Sequence, residues 1–594
     1  MDPRERAPVT RREALAIGGA TAVVALVLYV ATAARDIVVG DPTEFALVSL
    51  TGGVAHSPGY PLLTLLGRAF AALPLDPAPL RISLVSAIAG AGAAALVALT
   101  ARRLGAYRGA AALGALVFAT VPVVWRWSVV PEAFPLNDLL VAAAVLALVA
   151  WQRGGRDAWL VFAALAGGAA IAHHQTSALL APAALLALWR ERRRLTPRLL
   201  VTGVAAVAAG FLPYVYVPLA SAASPVWSWG DVHSAEDLFA LVTRQAYGGT
   251  QLASEAGVRG GSALERVGLL LASYGPLEAL LLVAGAVAAW RSQRWYLAQV
   301  ALGWIVAGPA FIAYASIDPA NPVSRSVLER FFLLPHTITA PLLGLGLAAL
   351  ADLAPRGIVP RGWVVGAAAV AAAILAVLAY PLVDRRDDHV ARLYGSDILE
   401  SVDKGAILLT VGDDASLAVA YLQAVEGARP DVTQVSLPLL RADWYVRQLK
   451  ARHPELALPF ERLTAMRDLV EANAQRTVAL VGGPIDNSLA RTHWLYPKGL
   501  VAVIRRLPLD ASVDDLARDN DALLARFHPP ALAAVRERPW ERAILGDYAR
   551  PAYVVGEQYE AAKDLAGARR WYQRALQIDP EDVPSRNALR RIGG

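Results

Sequence analysis

The sequence predicts a polytopic α-helical membrane protein followed by a small soluble α/β domain and a helical tail. Three observations lead there. Of 594 residues, 56% are hydrophobic and only 18% charged, with a mean hydropathy of +0.42, too apolar for a soluble chain of this length. The apolar excess is uneven: it runs to about Tyr380 and then fades into mixed, charged sequence. The basic residues behind the net charge of +6 cluster in short loops between apolar runs. There they orient spans and do not form a nucleic-acid surface. The chain has no cysteine, which excludes disulfides, thiolate zinc sites and cysteine nucleophiles.

Spans follow from apolar runs long enough for a bilayer, oriented by Lys/Arg asymmetry. They are 14–34, 82–100, 109–124, 139–151, 158–172, 178–189, 199–219, 268–290, 296–315, 332–352 and 363–380, about eleven in all. Arg4, Arg6, Arg11 and Arg12 precede the first span and place the N-terminus in the cytoplasm. Thr10-Arg11-Arg12 also resembles a twin-arginine signal, but the run after it can cross a bilayer and many spans follow. The stretch 61–73 reads as an amphipathic piece on the outer interface. The strongest inner signal is Arg190, Arg192, Arg193, Arg194 and Arg198; Arg102, Arg103, Arg108, Arg153, Arg156, Arg291, Arg294, Arg356 and Arg361 fall on the same side. An odd number of spans puts the C-terminus outside. An Arg- and Ala-rich composition without an organelle-targeting tail suggests the inner membrane of a bacterium.

Beyond the spans the pattern changes. Segments 406–411, 431–437 and 478–481 read as buried strands, with a helix running from Gly412-Asp413-Asp414 to Gly427. Strands alternating with helices predict a small α/β domain. The Gly412-Asp413-Asp414 turn reads as a helix cap, with a ligand site as the alternative. In the tail, Gly556, Tyr559, Ala568, Tyr572, Ala575, Leu576 and Pro580 follow the spacing of a tetratricopeptide helix pair within 550–592. One repeat cannot bury its own faces, so a helix over 520–547 or a partner must cover it. The expected domains are 1–380 in the membrane, 381–515 as the extracytoplasmic α/β domain and 516–594 as the tail.

Polar residues sort to one membrane face. Asp41/Glu44, His56, Glu132/Asp138, His173/His174, Trp229/Asp231 and Glu329/Arg330 all fall on the outer side, while the inner loops hold mostly arginine. The centre of this group is Gly40-Asp41-Pro42-Thr43-Glu44-Phe45, answered by His56-Ser57-Pro58-Gly59-Tyr60-Pro61-Leu62. Acids at a membrane boundary point to function, and Asp41 and Glu44 share one face if the turn is helical. The structural alternative is that Asp41 caps a helix starting at Pro42.

That run resembles the signature of the transmembrane protein 260 family, which are protein O-mannosyltransferase-like. Further matches follow in order: Trp125-Arg126-Trp127-Ser128 with Glu132-Ala133-Phe134-Pro135-Leu136-Asn137, then His173-His174-Gln175-Thr176. Next come Trp229-Gly230-Asp231 with Arg244 and Tyr247-Gly248, and last Glu329-Arg330-Phe331. The resemblance covers about 14–350 and continues in Asp431-Val432 and Asp443-Trp444-Tyr445; Ser57 departs from the proline the family carries. It implies a GT-C-like fold and an integral-membrane glycosyltransferase. Such an enzyme uses a polyprenyl-phosphate sugar, mannose favoured, at the outer face, with a protein Ser/Thr, a glycan or a lipid hydroxyl as acceptor. It implies Asp41 as catalytic base with Glu44 second.

Transfer to a hydroxyl needs a base, and the phosphate leaving group needs donors or cations. Arg330, His173, His174 and Arg244 are the candidates. Arg330 reads equally as a snorkelling anchor and the histidine pair as polar glue between helices. His56 and Tyr60 belong to the same motif face, and Tyr60, Trp125, Trp127, Trp227 and Trp229 can stack on a sugar or form an aromatic belt. Asp231 accompanies Trp229, while Glu132 and Asn137 shape the cleft. No spacing is a metal-ligand signature, so no metal and no cofactor beyond the lipid-linked donor is expected. The expected partners are the membrane, the donor, the acceptor and a protein held by the tail. A transporter or a non-catalytic scaffold is the competing class. The transporter reading needs charged pairs at the midplane and two matching halves, which the sequence lacks.

Overall fold

The protein, a computed structural model, is described over residues 10–245, 260–353, 360–484, 486–508 and 511–593. Tyr247, Gly248, Arg4, Arg6 and Arg356 lie outside these residues. The chain forms two compact units. One contains 1–35, 54–219 and 234–387; the other contains 36–53, 220–233 and 388–594.

The first unit is helical. Its early helices are α1 (Arg11–Thr32), α3 (Pro61–Ala71), α4 (Ala78–Leu104), α5 (Arg108–Thr120), α6 (Pro122–Ser128), α7 (Ala133–Gln152) and α8 (Ala158–His173); α2 (Asp41–Thr51) belongs to the second unit. α4 lies against α1, α5 and α7, and small residues make that contact close: Ala87, Ala94 and Ala98 are fully buried. Tyr29 of α1 donates its hydroxyl to the Ala119 carbonyl at 2.8 Å, so the buried ring has a polar partner. The last helix, Arg361–Val383, presents Trp363, Val370, Val377 and Leu378 outward, as a lipid-facing helix does.

The described residues contain five helices long and apolar enough to cross a membrane, or nine if each of four bent pairs counts as one span. This corrects the expected eleven. The two runs lost are short: Ala158–His173 has 16 residues and Ala181–Arg190 has 10. At about 1.5 Å per residue neither reaches the roughly 30 Å of a hydrocarbon core. The bends also have a sequence cause. The bent pairs turn by 72°, 40°, 91° and 51°, and their second pieces open at or beside Pro122, Pro213, Pro276 and Pro341. Proline lacks an N–H and clashes with the preceding turn, so it starts a helix and does not continue one. Between the expected spans 109–124 and 139–151 the chain is mostly helical, α6 running to Ser128 and α7 starting at Ala133.

Helices Pro276–Ser292 and Pro341–Leu353 touch backbone to backbone. A Cβ on Gly346 would lie 1.9 Å from the Leu281 carbonyl oxygen.

The second unit holds a five-stranded sheet ordered β2-β1-β3-β5-β4, with β1 Ile407–Thr410, β2 Thr433–Ser436, β3 Val478–Val481, β4 His493–Lys498 and β5 Val501–Arg506. β1 pairs parallel with β2 and β3, whereas β3–β5 and β5–β4 are antiparallel. The three expected strands are present and the β4–β5 hairpin was not foreseen. Pro497 argues against a strand interior, yet β4 is an edge strand, where proline is tolerated. The Gly412-Asp413-Asp414 turn starts the helix Asp413–Glu426, which ends at Gly427 in the left-handed region.

In the tail, the helix expected over 520–547 is broken into Val513–Leu524, Leu532–Val535 and the start of Pro539–Ala561. Helices Leu565–Ile578 and Val583–Arg591 follow. Tyr496, Val503, Leu516, Val555, Trp571 and Tyr572 share one core, so the tail packs directly on the β4–β5 hairpin.

Two outcomes follow from this packing. Gly346→Ala lowers the thermal midpoint of the detergent-solubilised protein, by about 1–3 kcal/mol of overpacking. Gly366→Ala is neutral, since a Cβ there meets nothing within 4 Å. The second concerns Asp547, whose carboxyl accepts from the Tyr394 hydroxyl at 2.9 Å. Burial, and then the nearby Asp414 carboxylate, push its pKa up to about 6. A carboxyl raised in the folded state holds its proton longer than in the unfolded chain. The charged form therefore destabilises the fold increasingly from about pH 4 to about pH 6, and fully above that. Asp547→Asn is expected to stabilise the protein by on the order of 1–2 kcal/mol at pH 8. Thermal unfolding as a function of pH should show that gain vanishing near pH 4; a gain equal at both pH values would refute it.

Candidate functional site

The acids stand on α2, in the second unit. Gly40 holds φ 88°, a conformation other residues adopt at a cost, and from it the chain turns directly into helix. Asp41 is thus the first helical residue and Gly40 occupies the cap position, so the reading of Asp41 as the cap is corrected. Asp41 and Glu44 share the first turn, where free backbone N–H groups and the helix dipole favour negative charge. Thr43 secures that turn by donating its hydroxyl to the Val38 carbonyl at 2.6 Å.

Asp41 is half-buried, whereas Glu44 is only 2% exposed. The Trp227 indole N–H donates to Glu44 Oε1 at 2.9 Å. Gly53, just past α2, lies against the same segment: a Cβ there would sit 2.0 Å from the Trp227 carbonyl oxygen. Asp231 follows, at φ 48°, and its Oδ1 accepts from Gln448 Nε2 at 3.2 Å. The Trp229 ring lies 5.8 Å from that of Trp444.

The first unit gathers the other residues into two groups. One is a ring cluster. α8 ends at His173, His174 takes an extended conformation, and a short 3₁₀ turn Gln175–Leu180 follows; both imidazoles lie beside the Tyr60 ring, at 5.9 and 6.4 Å. His173 Nε2–H donates to the Ala133 carbonyl at 2.9 Å, and His174 Nδ1 lies 2.6 Å from Thr176 Oγ1. Tyr60, at φ 44° before Pro61, brings its ring within 5.3 Å of His56 and 5.9 Å of His173. His174 packs 4.6 Å from Phe134 and 6.1 Å from Phe331. Asn137 joins the edge of this group, accepting from the Ser177 hydroxyl at 2.8 Å.

The other group is charged. Arg330 lies 3.7 Å from Glu132, with side chains 8% and 1% exposed, and its guanidinium sits 4.7 Å above the Trp127 ring. A snorkelling anchor keeps its head in water; this one is buried against an acid and an indole, and that alternative is set aside. Trp125 is removed from the sugar-stacking set as well: it is 1% exposed and its N–H donates to Thr32. Arg244 sits in the left-handed region at φ 58°, just after the helix Ala235–Val242.

Sequence reasoning named Phe134 and Phe331 only as motif letters and missed them as ring partners. Their position beside Glu132 and Arg330 was the available signal. Among the described residues, no group of three His, Asp or Glu side chains is arranged to hold a metal ion.

Comparison with known proteins adds two family matches and several relatives. Residues 41–196 match the protein O-mannosyl-transferase TMEM260 N-terminal domain, and residues 391–467 match TMEM260-associated domain 2. The mouse protein O-mannosyl-transferase TMEM260 is 30% identical over 473 residues, covering 75% of this chain and 66% of the relative. The Dictyostelium discoideum protein of that name is 23% identical, covering 80% of this chain and 65% of the relative. The chain thus spans just under two thirds of the length of these relatives. Among solved structures, ArnT from Cupriavidus metallidurans bound to undecaprenyl phosphate aligns with a TM-score of 0.54 at 14% identity, covering 85% of this chain and all of that one. Its apo form aligns with a TM-score of 0.53. At that identity the likeness concerns the fold, a GT-C-like one.

The buried pair gives a direct test. Arg330→Leu strands Glu132 without its guanidinium and should cost about 3–5 kcal/mol. Adding Glu132→Gln to that variant should recover part of the loss, since no buried charge then remains unpaired. Thermal unfolding of the single and double variants decides it; equal or additive losses would sink the pairing.

Proposed function

We propose a function from one premise: this chain belongs to the family of protein O-mannosyl-transferase TMEM260, membrane proteins with a GT-C-like fold. It moves a sugar, mannose favoured, from a polyprenyl-phosphate donor to a hydroxyl on the outer face of the membrane, in the first place a protein Ser or Thr. The observation that carries this reading is the opening turn of α2, where half-buried Asp41 and buried Glu44 stand together and an indole N–H fixes Glu44. The solved neighbour ArnT binds undecaprenyl phosphate, and a carrier of that class is proposed here.

In the reaction, the bond from the anomeric carbon to the phosphate oxygen breaks as the bond to the acceptor oxygen forms. Asp41 takes the acceptor's proton while the sugar carbon acquires oxocarbenium character. One base activating the nucleophile opposite the leaving group predicts inversion at that carbon. Glu44 supports Asp41 or orients the acceptor. The departing lipid phosphate carries the developing negative charge, and Arg330, His173, His174 and Arg244 are the groups that meet it. His56, Tyr60, Trp229 and Asp231 contact substrate, while Glu132 and Asn137 shape the site through Arg330 and Ser177.

The N-terminus is cytoplasmic, the sheet domain and tail are extracytoplasmic, and the membrane is the inner membrane of a bacterium. The tail is read as a tetratricopeptide helix pair that recruits a protein. The alternative acceptor is a cell-envelope glycan or lipid.

The test is transfer of label from radiolabelled polyprenyl-phosphate mannose to membrane and extracytoplasmic proteins. Asp41→Asn should lower transfer by about 10²–10⁴-fold while keeping the wild-type unfolding midpoint. Unchanged transfer removes Asp41 from the chemistry. Absence of label with wild-type protein removes mannose or the protein acceptor.

A further inference from the structure

A cavity of about 280 Å³ lies in the second unit, among Trp227, Trp229, Trp444, Gln423, Gln434 and Gln448. Its wall combines indole faces with three amides, and the amides are all committed in the same sense. Gln448 spends its NH₂ on the Ser228 carbonyl and Asp231, Gln423 on the Arg429 and Val432 carbonyls, and Gln434 on the Ser416 carbonyl and Thr410. What each amide has left is its carbonyl oxygen, an acceptor. Arg452, also at the wall, is spent likewise: its guanidinium donates to the Pro225 and Val226 carbonyls. The cavity therefore offers indole rings and amide acceptors. Its complement is a ligand with C–H faces and several O–H donors.

We propose that this cavity binds one neutral pyranose ring, stacked on the indoles with its hydroxyls donating to the glutamine oxygens. Trp227 serves both sides: it lines the cavity and donates to Glu44. A ring held there lies one indole away from the acids of α2. The proposal rests on the glycosyl-transfer reading for the choice of probes and for the two sources of the ring. The pyranose is either the sugar of the lipid-linked donor or a sugar already carried by the acceptor.

The experiment uses the full chain in nanodiscs, carrying Asp41→Asn so that transfer does not consume the probe. Tryptophan fluorescence is titrated with methyl α-mannopyranoside and, separately, with polyprenyl-phosphate mannose. Saturable quenching is expected, weakened roughly tenfold or more by Trp444→Ala. Quenching by the free glycoside assigns the sugar to the acceptor side; quenching by the lipid-linked probe alone assigns it to the donor. If Trp444→Ala unfolds at a lower temperature, Trp444→Phe is read in its place and should weaken binding about threefold. No saturable binding of either probe, or binding untouched in the folded Trp444 variant, overturns the proposal. Binding with no transfer by wild-type protein would sink the proposed reaction and leave the cavity standing.

Discussion

A carboxylate taken out of water in an apolar helical bundle must find a partner, and that constraint organises the polar side chains of this protein. Leaving such a group unpaired costs several kcal/mol, on the order of a large part of a fold's net stability. Within the helical unit Glu13 meets Arg102 at 2.7 Å and Arg108 at 3.0 Å. Glu132 meets Arg330, and Glu278 meets His336 at 2.8 Å. In the other unit, Glu44 accepts from the Trp227 indole N–H at 2.9 Å. A directional donor of this kind fixes where the carboxylate oxygen lies.

Much of this arrangement was legible in the sequence, for identifiable reasons. The three parallel strands were readable because Ile407–Thr410 and Val478–Val481 are buried runs between turn residues. The acids of α2 were readable because charge beside a span is conspicuous. The number of crossings was overcounted because a hydropathy window measures composition and not length of continuous helix. Ala181–Arg190 is apolar enough but ten residues long, the rest of its run being the 3₁₀ turn after His174. The prolines that break the other runs were in plain view, and reading Pro122, Pro276 and Pro341 as helix starts recovers those bends.

Pairings across distance in the chain were not legible. Nothing local says that Trp227 answers Glu44, 183 residues away, or that Arg330 finds both Trp127 and Glu132. The grouping of 36–53 and 220–233 with 388–594 is of the same kind. These two loops separate membrane segments in the sequence, yet they are fixed by contacts with the sheet-bearing unit. Asp36 accepts from Arg392 at 2.7 Å, and Gln448 donates to the Ser228 carbonyl at 3.0 Å. α2 lies against the helix Asp413–Glu426. The acids are thus supported by a soluble fold, a firmer scaffold than a free loop between spans. The tail adds to it through the core it shares with β4 and β5.

Backbone strain separates residues kept for packing from residues kept for their side chains. Tyr60, Asp231 and Arg244 hold φ of 44°, 48° and 58°, where a non-glycine residue costs about 1–3 kcal/mol. Glycine would satisfy each backbone more cheaply, and the chain uses it next door: Gly59 and Gly230 also have positive φ. If position alone mattered, glycine would serve at Tyr60, Asp231 and Arg244 too. Instead Tyr60 holds the rings of His56 and His173, and Asp231 ties the Trp229 segment to Gln448. Ser224, Ser316, Arg429 and Lys563 hold positive φ as well, so strain marks positions where a side chain stands in place of glycine, and at Arg429 that side chain serves an ion pair with Asp431 at 2.9 Å.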